Sequence, residues 1–106
     1  MIKLQRLGHV LIAVRDLEKS KDFYTRVLGF KVLEEDPEHG GVFLSIGGLG
    51  NTLDLFQCTN LDAVAPSQSN LGVRHTAFAV DCFLARSCDP CTFRLLFLPP
   101  SLQRIL

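Results

Sequence analysis

Three side chains in this sequence have the types and the placement to hold one divalent metal ion: His9, Asp54 and His75. The two histidines occupy the second place of a segment that occurs twice, Gly8-His9-Val10-Leu11-Ile12-Ala13-Val14 and Arg74-His75-Thr76-Ala77-Phe78-Ala79-Val80. Both segments read as strands. A strand alternates its side chains between two faces, so His9 shares a face with Leu7, Leu11 and Ala13, and His75 shares one with Val73, Ala77 and Ala79. If the segments are equivalent parts of a duplicated unit, a pseudo-twofold axis brings the two imidazoles together over one cavity. Asp54, flanked by Leu53 and Leu55, points away from both leucines, and an ionised carboxylate on a sheet needs a partner, a hydrogen bond or a metal. Two imidazoles and one carboxylate leave open coordination positions and suit Fe(II), Mn(II), Ni(II) or Zn(II), acting as a Lewis acid towards bound oxygen atoms.

Taken singly, each of these residues has a plainer reading. A strand histidine is commonly a hydrogen-bonded core or rim residue, and a strand aspartate is commonly an edge charge. The recurrence of histidine at two equivalent places is what raises the set to a candidate site.

The elements that position these residues follow from periodicity and turn chemistry. Residues 5–14 read as one nearly continuous apolar strand, and Asp16 is a good N-cap for a helix over 17–28. Within that helix Leu17, Lys21, Tyr24, Val27 and Leu28 share a stripe, joined at its edge by Phe23, and Gly29 provides the left-handed stop. Strands are predicted at 30–34, 42–46 and 52–57, separated by the reversal Asp36-Pro37-Glu38-His39-Gly40-Gly41 and the turn Gly47-Gly48-Leu49-Gly50-Asn51. The fold class is therefore α+β, with a complete βαβββ module over residues 1–57. Residues 58–71 have linker composition. Residues 72–106 form a second, incomplete module, because a full copy needs roughly 40 to 50 residues after its first strand and only residues 81–106 remain.

The composition changes at Cys82. Beyond it there is no Gly and no Lys, and Asp89 alone is acidic. Thr92-Phe93-Arg94-Leu95-Leu96-Phe97-Leu98 is expected to form one strand and residues 101–106 a short helical turn. The plain reading of this stretch is a divergent tail; the sharper and preferred one is a truncated or frame-shifted end that replaces the original.

Other chemically suggestive residues have simpler roles. His39 is a solvated turn residue beside Glu38 and is not counted as a ligand. Tyr24 is expected to pack against the sheet. Gly47-Gly48-Leu49-Gly50 is a hairpin turn rather than a phosphate loop, since no Lys-Ser/Thr follows and a strand comes next. Cys88-Asp89-Pro90-Cys91 has redox or zinc spacing, yet it lacks a second pair or a strand-helix setting, and it is read as incidental thiols.

Composition excludes several classes. Of 106 residues, 47% are hydrophobic and 21% charged, with eight Phe and no Trp, which suits a globular domain. Eleven basic side chains balance eleven acidic ones, so no basic surface grips nucleic acid. No apolar run approaches the ~20 residues that span a bilayer, and the first residues lack a signal peptide's apolar centre. No membrane contact and a cytoplasmic location are expected.

The run from Leu7 to Ser20, followed by Phe23-Tyr24-Thr25-Arg26-Val27-Leu28-Gly29-Phe30-Lys31-Val32, resembles the opening of the vicinal oxygen chelate superfamily. That superfamily includes glyoxalase I, extradiol dioxygenases, fosfomycin-resistance transferases and bleomycin-binding proteins. The resemblance covers residues 5–57, and residues 72–81 are similar to the first strand of its second module. It implies paired βαβββ modules whose curved sheets enclose a metal, often completed by a second subunit, hence a homodimer. It also implies that His9, Asp54 and His75 are metal ligands, with Asp54 at a position usually held by Glu. The fourth ligand, a Glu on the final strand, has no counterpart here, and neither does the turn that precedes it. Asp54 is thus the candidate both for ligand and for the carboxylate that moves a proton, and it can hardly be both.

The activity implied is metal-dependent glyoxalase I-like lyase or isomerase chemistry on a small molecule with vicinal oxygens. The alternatives are an Fe(II) extradiol-type dioxygenase, a non-catalytic drug-binding module and an inactive truncated copy.

Overall fold

The structure, a computed structural model, describes residues 1–48, 50–62, 76–80, 94–98 and 106. The chain divides into two compact units, one comprising Met1–Asp62 with Leu106 and the other Ala63–Ile105. The first unit runs β1 (Val10–Val14), α1 (Leu17–Asp22), a wide π turn (Phe23–Val27), β2 (Lys31–Asp36), β3 (Gly41–Ser45) and β4 (Leu53–Gln57). Its four strands lie in the order β1-β4-β3-β2. β1 is parallel to β4, and the other two pairings are antiparallel. A βαβββ module is what the alternation of periods 2 and 3.6 predicts.

One face of this sheet carries the core. Register places Val10, Ile12 and Val14 beside Leu53, Leu55 and Gln57, and Val42 and Leu44 beside Leu55 and Leu53. Val14, Val42, Leu44, Leu53 and Leu55 are buried together with Tyr24 and Phe30. Tyr24 meets Phe23 and Phe30 edge to face at centroid distances of 5.4 and 5.7 Å, an arrangement aromatic quadrupoles favour. Burial pushes its phenol up to about 12. Tyr24 is a packing residue, as its helical spacing predicts.

The helix starts where the sequence places it. Asp16 has extended backbone and its carboxylate accepts from the Lys19 N–H at 3.1 Å. From Phe23 the coil widens. Leu28 N–H reaches Phe23 O, five residues back, and the Thr25 hydroxyl donates to Lys21 O at 2.7 Å. Gly29, at φ 78°, turns the chain, and Phe30 N–H closes on Tyr24 O. The predicted helix of 17–28 is thus an α-helix of six residues followed by a π turn.

The first strand is shorter than the apolar pattern of residues 5–14 predicts. Among the described strands β1 pairs with β4 alone, its first ladder residue Val10 pairs with Leu53, and the Val10 N–H meets Thr52 O. Before Thr52 the neighbouring chain turns away through Gly50 and Asn51, so among the described residues the backbone before Val10 has no strand to pair with. His9 therefore stands just outside the end of β1.

Leu106 belongs to the first unit. Its carbonyl oxygen accepts from Asp16 N–H and from the buried Ser20 hydroxyl, both at 2.9 Å. In the second unit β5 (Thr76–Val80) pairs antiparallel with β6 (Arg94–Leu98), the strand expected within 92–98. The expected helical turn over 101–106 lies outside the described residues except for Leu106, as do His75 and the Cys88 to Cys91 motif. No helix among the described residues is long and apolar enough to cross a membrane.

Candidate functional site

The sheet face opposite the core is where the chemistry-bearing residues collect. Leu11 pairs with Asp54, Ala13 with Phe56, Phe43 with Asp54 and Gly41 with Phe56, so all six share that face. Leu11 and Ala13 are exposed and Phe43 and Phe56 half-buried. The two phenylalanine rings meet edge to face at 5.9 Å. Gly41 makes room for them, because a Cβ there would stand 2.7 Å from the Phe56 ring.

His9 and Asp54 come together at one end of this face. The His9 Nε2 and Asp54 Oδ2 atoms are 3.6 Å apart, with the imidazole side chain 55% exposed and the carboxylate side chain 5% exposed. The parallel register of β1 and β4 produces this approach, since it sets the residue before Val10 against the strand end that carries Asp54. The separation exceeds a good hydrogen bond. Two donors bound tetrahedrally to one ion at about 2.1 Å stand about 3.4 Å apart, so the pair fits a shared divalent cation. An exposed imidazole and a shielded carboxylate offer one nitrogen and one oxygen donor, a set suited to Zn, Fe, Mn or Ni.

Asn51 completes the local arrangement. Its side-chain amide donates to Asp54 Oδ1 at 3.1 Å and lies 3.5 Å from Oδ2. Sequence alone reads Asn51 as a turn residue. The signal that marks it is a side-chain amide three residues before an acid at the mouth of a strand.

Gln57, at the far end of β4, is a second residue that sequence reasoning passes over. Its Oε1 accepts from Leu17 N–H at 2.9 Å and its Nε2 donates to Arg15 O at 2.6 Å, tying the start of α1 to the sheet.

Among the described residues no group of three or more His, Cys, Asp or Glu side chains converges. The third sequence candidate, His75, lies outside the described residues, so the structure brings together two of the three. His39 is where the turn reading puts it, exposed, with Nδ1 2.8 Å from Asp36 Oδ2. That contact holds the Asp36 carboxyl below the usual carboxylate range.

Known proteins give a consistent picture. A family model described as the Glyoxalase/Bleomycin resistance protein/Dioxygenase superfamily matches residues 6–87. Methylmalonyl-CoA epimerase, mitochondrial, from Mus musculus is 40% identical over 94 residues, which are 82% of this chain and 52% of the mouse protein. A lactoylglutathione lyase from Pseudomonas putida is 59% identical over 28 residues, 26% of this chain and 16% of the lyase. Among solved structures, an integron cassette protein from the mobile metagenome of the Halifax Harbour sewage outfall aligns with a TM-score of 0.50 at 32% identity. It covers 54% of this chain and 49% of that one. The chain spans about half the length of the mouse epimerase.

Proposed function

Given that the chain belongs to the Glyoxalase/Bleomycin resistance protein/Dioxygenase superfamily, we propose that it supplies part of a divalent-metal site that binds a small molecule through neighbouring oxygens and moves a proton on an adjacent carbon. The observation that carries this reading is the 3.6 Å approach of His9 Nε2 to Asp54 Oδ2 on the open sheet face. His9 and Asp54 are the first two ligands in this reading, and His75, in the second copy of the motif, is the third. A bound cation supplies Lewis acidity towards a carbonyl oxygen, which makes the neighbouring C–H more acidic. Leu11, Ala13, Phe43 and Phe56 provide an apolar wall that orients the substrate and excludes water from the reacting carbon.

The proton-transfer assignment draws on the relatives. Epimerisation inverts a carbon by removing its proton and returning one to the opposite face, and the mouse epimerase is similar over far more of this chain than the lyase. Epimerase-type chemistry on a 2-substituted malonyl thioester is therefore preferred over the lyase-type reaction first expected. A second copy of the chain is the proposed partner that completes the cup.

Deuterium incorporation tests the proposal. The full chain, loaded with Co(II), is incubated in D2O with methylmalonyl-CoA and in parallel with lactoylglutathione. Mass gain at the α-carbon of the malonyl group, lost on replacing His9 with Ala, is the expected result. No exchange on either compound by the cation-loaded protein contradicts the catalytic assignment. A second reading, binding without chemistry, is favoured by the apolar make-up of the same face. Ligand binding insensitive to a chelator supports that alternative.

A further inference from the structure

Resting on the cation reading above, we infer that Asn51 is a positioning residue that fixes Asp54 as a one-oxygen ligand. The two carboxylate oxygens are not equivalent. Oδ1 is the closer to the Asn51 amide, at 3.1 Å against 3.5 Å for Oδ2, and Oδ2 is the atom that faces His9 Nε2 at 3.6 Å. With the amide on Oδ1, the oxygen left for a cation is Oδ2. The Asp54 side chain is 5% exposed, so bulk water does not set its orientation. The donor itself is anchored, since Gly50 turns the chain before it at φ 75° and Thr52 N–H bonds Leu44 O at 2.9 Å after it.

The choice of an amide has a physical consequence. A Lys or Arg at this place would neutralise the carboxylate and repel a cation, whereas an amide orients the group and leaves its charge intact. It also favours one of the two roles open to Asp54. A carboxylate with one oxygen oriented by an amide and the other turned to the metal is poorly placed to carry a proton between carbons, since each oxygen already has a fixed partner. Asp54 is the ligand, and the base for proton transfer comes from outside the His9–Asp54 pair.

The test is cobalt affinity, measured on the metal-free full chain by chelator competition and by the visible bands of bound Co(II). Wild type is compared with Asn51→Leu, which keeps the bulk and loses the donor, and with Asn51→Gln, which keeps an amide. Loss of such a supporting contact weakens metal binding about 10- to 100-fold. The expected result is that loss in Asn51→Leu with altered band positions, and a smaller loss in Asn51→Gln. Unfolding in urea without metal separates this from a general loss of stability. Tight binding by wild type with Asn51→Leu within about twofold of it, the spread of an inert substitution, overturns this inference and leaves the cation reading standing. No cobalt binding by wild type overturns both. Should Asn51→Leu fail to fold by circular dichroism, Asn51→Ala, which also lacks the donor, takes its place under the same criteria.

Discussion

A carboxylate shielded from water persists where its oxygens have partners, and Asp54 meets that condition by facing an amide on one side and an imidazole on the other. The shorter reach of Asp relative to Glu is offset here by His9 standing just beyond the strand end, close to β4. Tyr24 makes the opposite case, a polar tip on an otherwise apolar residue enclosed by the core. Its phenol is raised from 10.0 to about 12 by burial. The folded state therefore holds this proton through a range in which the unfolded chain releases it, so stability is complete below pH 10 and falls as pH rises towards 12. The loss is capped at ~3 kcal/mol. Urea unfolding at a series of pH values should show this decline in wild type and a shallower one in Tyr24→Phe. Tyr24 is the one tyrosine of the chain, which keeps the comparison clean.

At the level of elements, Gln57 joins three pieces of structure, two through its side chain and one through its backbone. It caps the first turn of α1 at Leu17 and holds the β1–α1 connection at Arg15, while its own N–H bonds Gly40 O at the β2–β3 turn. Gln57→Ala leaves the Leu17 N–H and Arg15 carbonyl without their partner and should cost about 1–3 kcal/mol, read from the urea midpoint at unchanged slope. The order of elements was readable because each has a local cause: Asp16 as N-cap, Gly29 as stop, the alternating Leu53-Asp54-Leu55 pattern. The length of β1 was not, since it depends on where β4 begins, some forty residues along the chain. The π turn at Phe23–Val27 and the partners of Gln57 and Asn51 have the same character. Side-chain types were visible, but their partners are set by tertiary approach. His9 and Asp54 were readable as candidates from the repeated motif and from a charge among leucines, and their juxtaposition required the parallel register of β1 on β4.

For the whole molecule, the first unit is a complete βαβββ module and the described part of the second is the strand pair β5–β6. The second copy of the histidine motif leads into β5, which is why a ligand from it belongs to the proposed set. A cation that binds the folded chain and not the unfolded one must stabilise it. At a free concentration a hundredfold above its Kd the gain is about 2.7 kcal/mol, and a thermal melt with and without Zn(II) should show the midpoint rise. This increment should vanish in Asp54→Asn while the metal-free midpoint changes little. The most direct test of the proposed centre is metal content per chain, by elemental analysis of untagged wild type, His9→Ala and His75→Ala. Near-stoichiometric transition metal in wild type, lost from His9→Ala and reduced in His75→Ala, is the predicted result. A folded wild-type chain without metal, or a His9→Ala protein that retains it in full, would contradict the assignment of His9 and Asp54 as ligands.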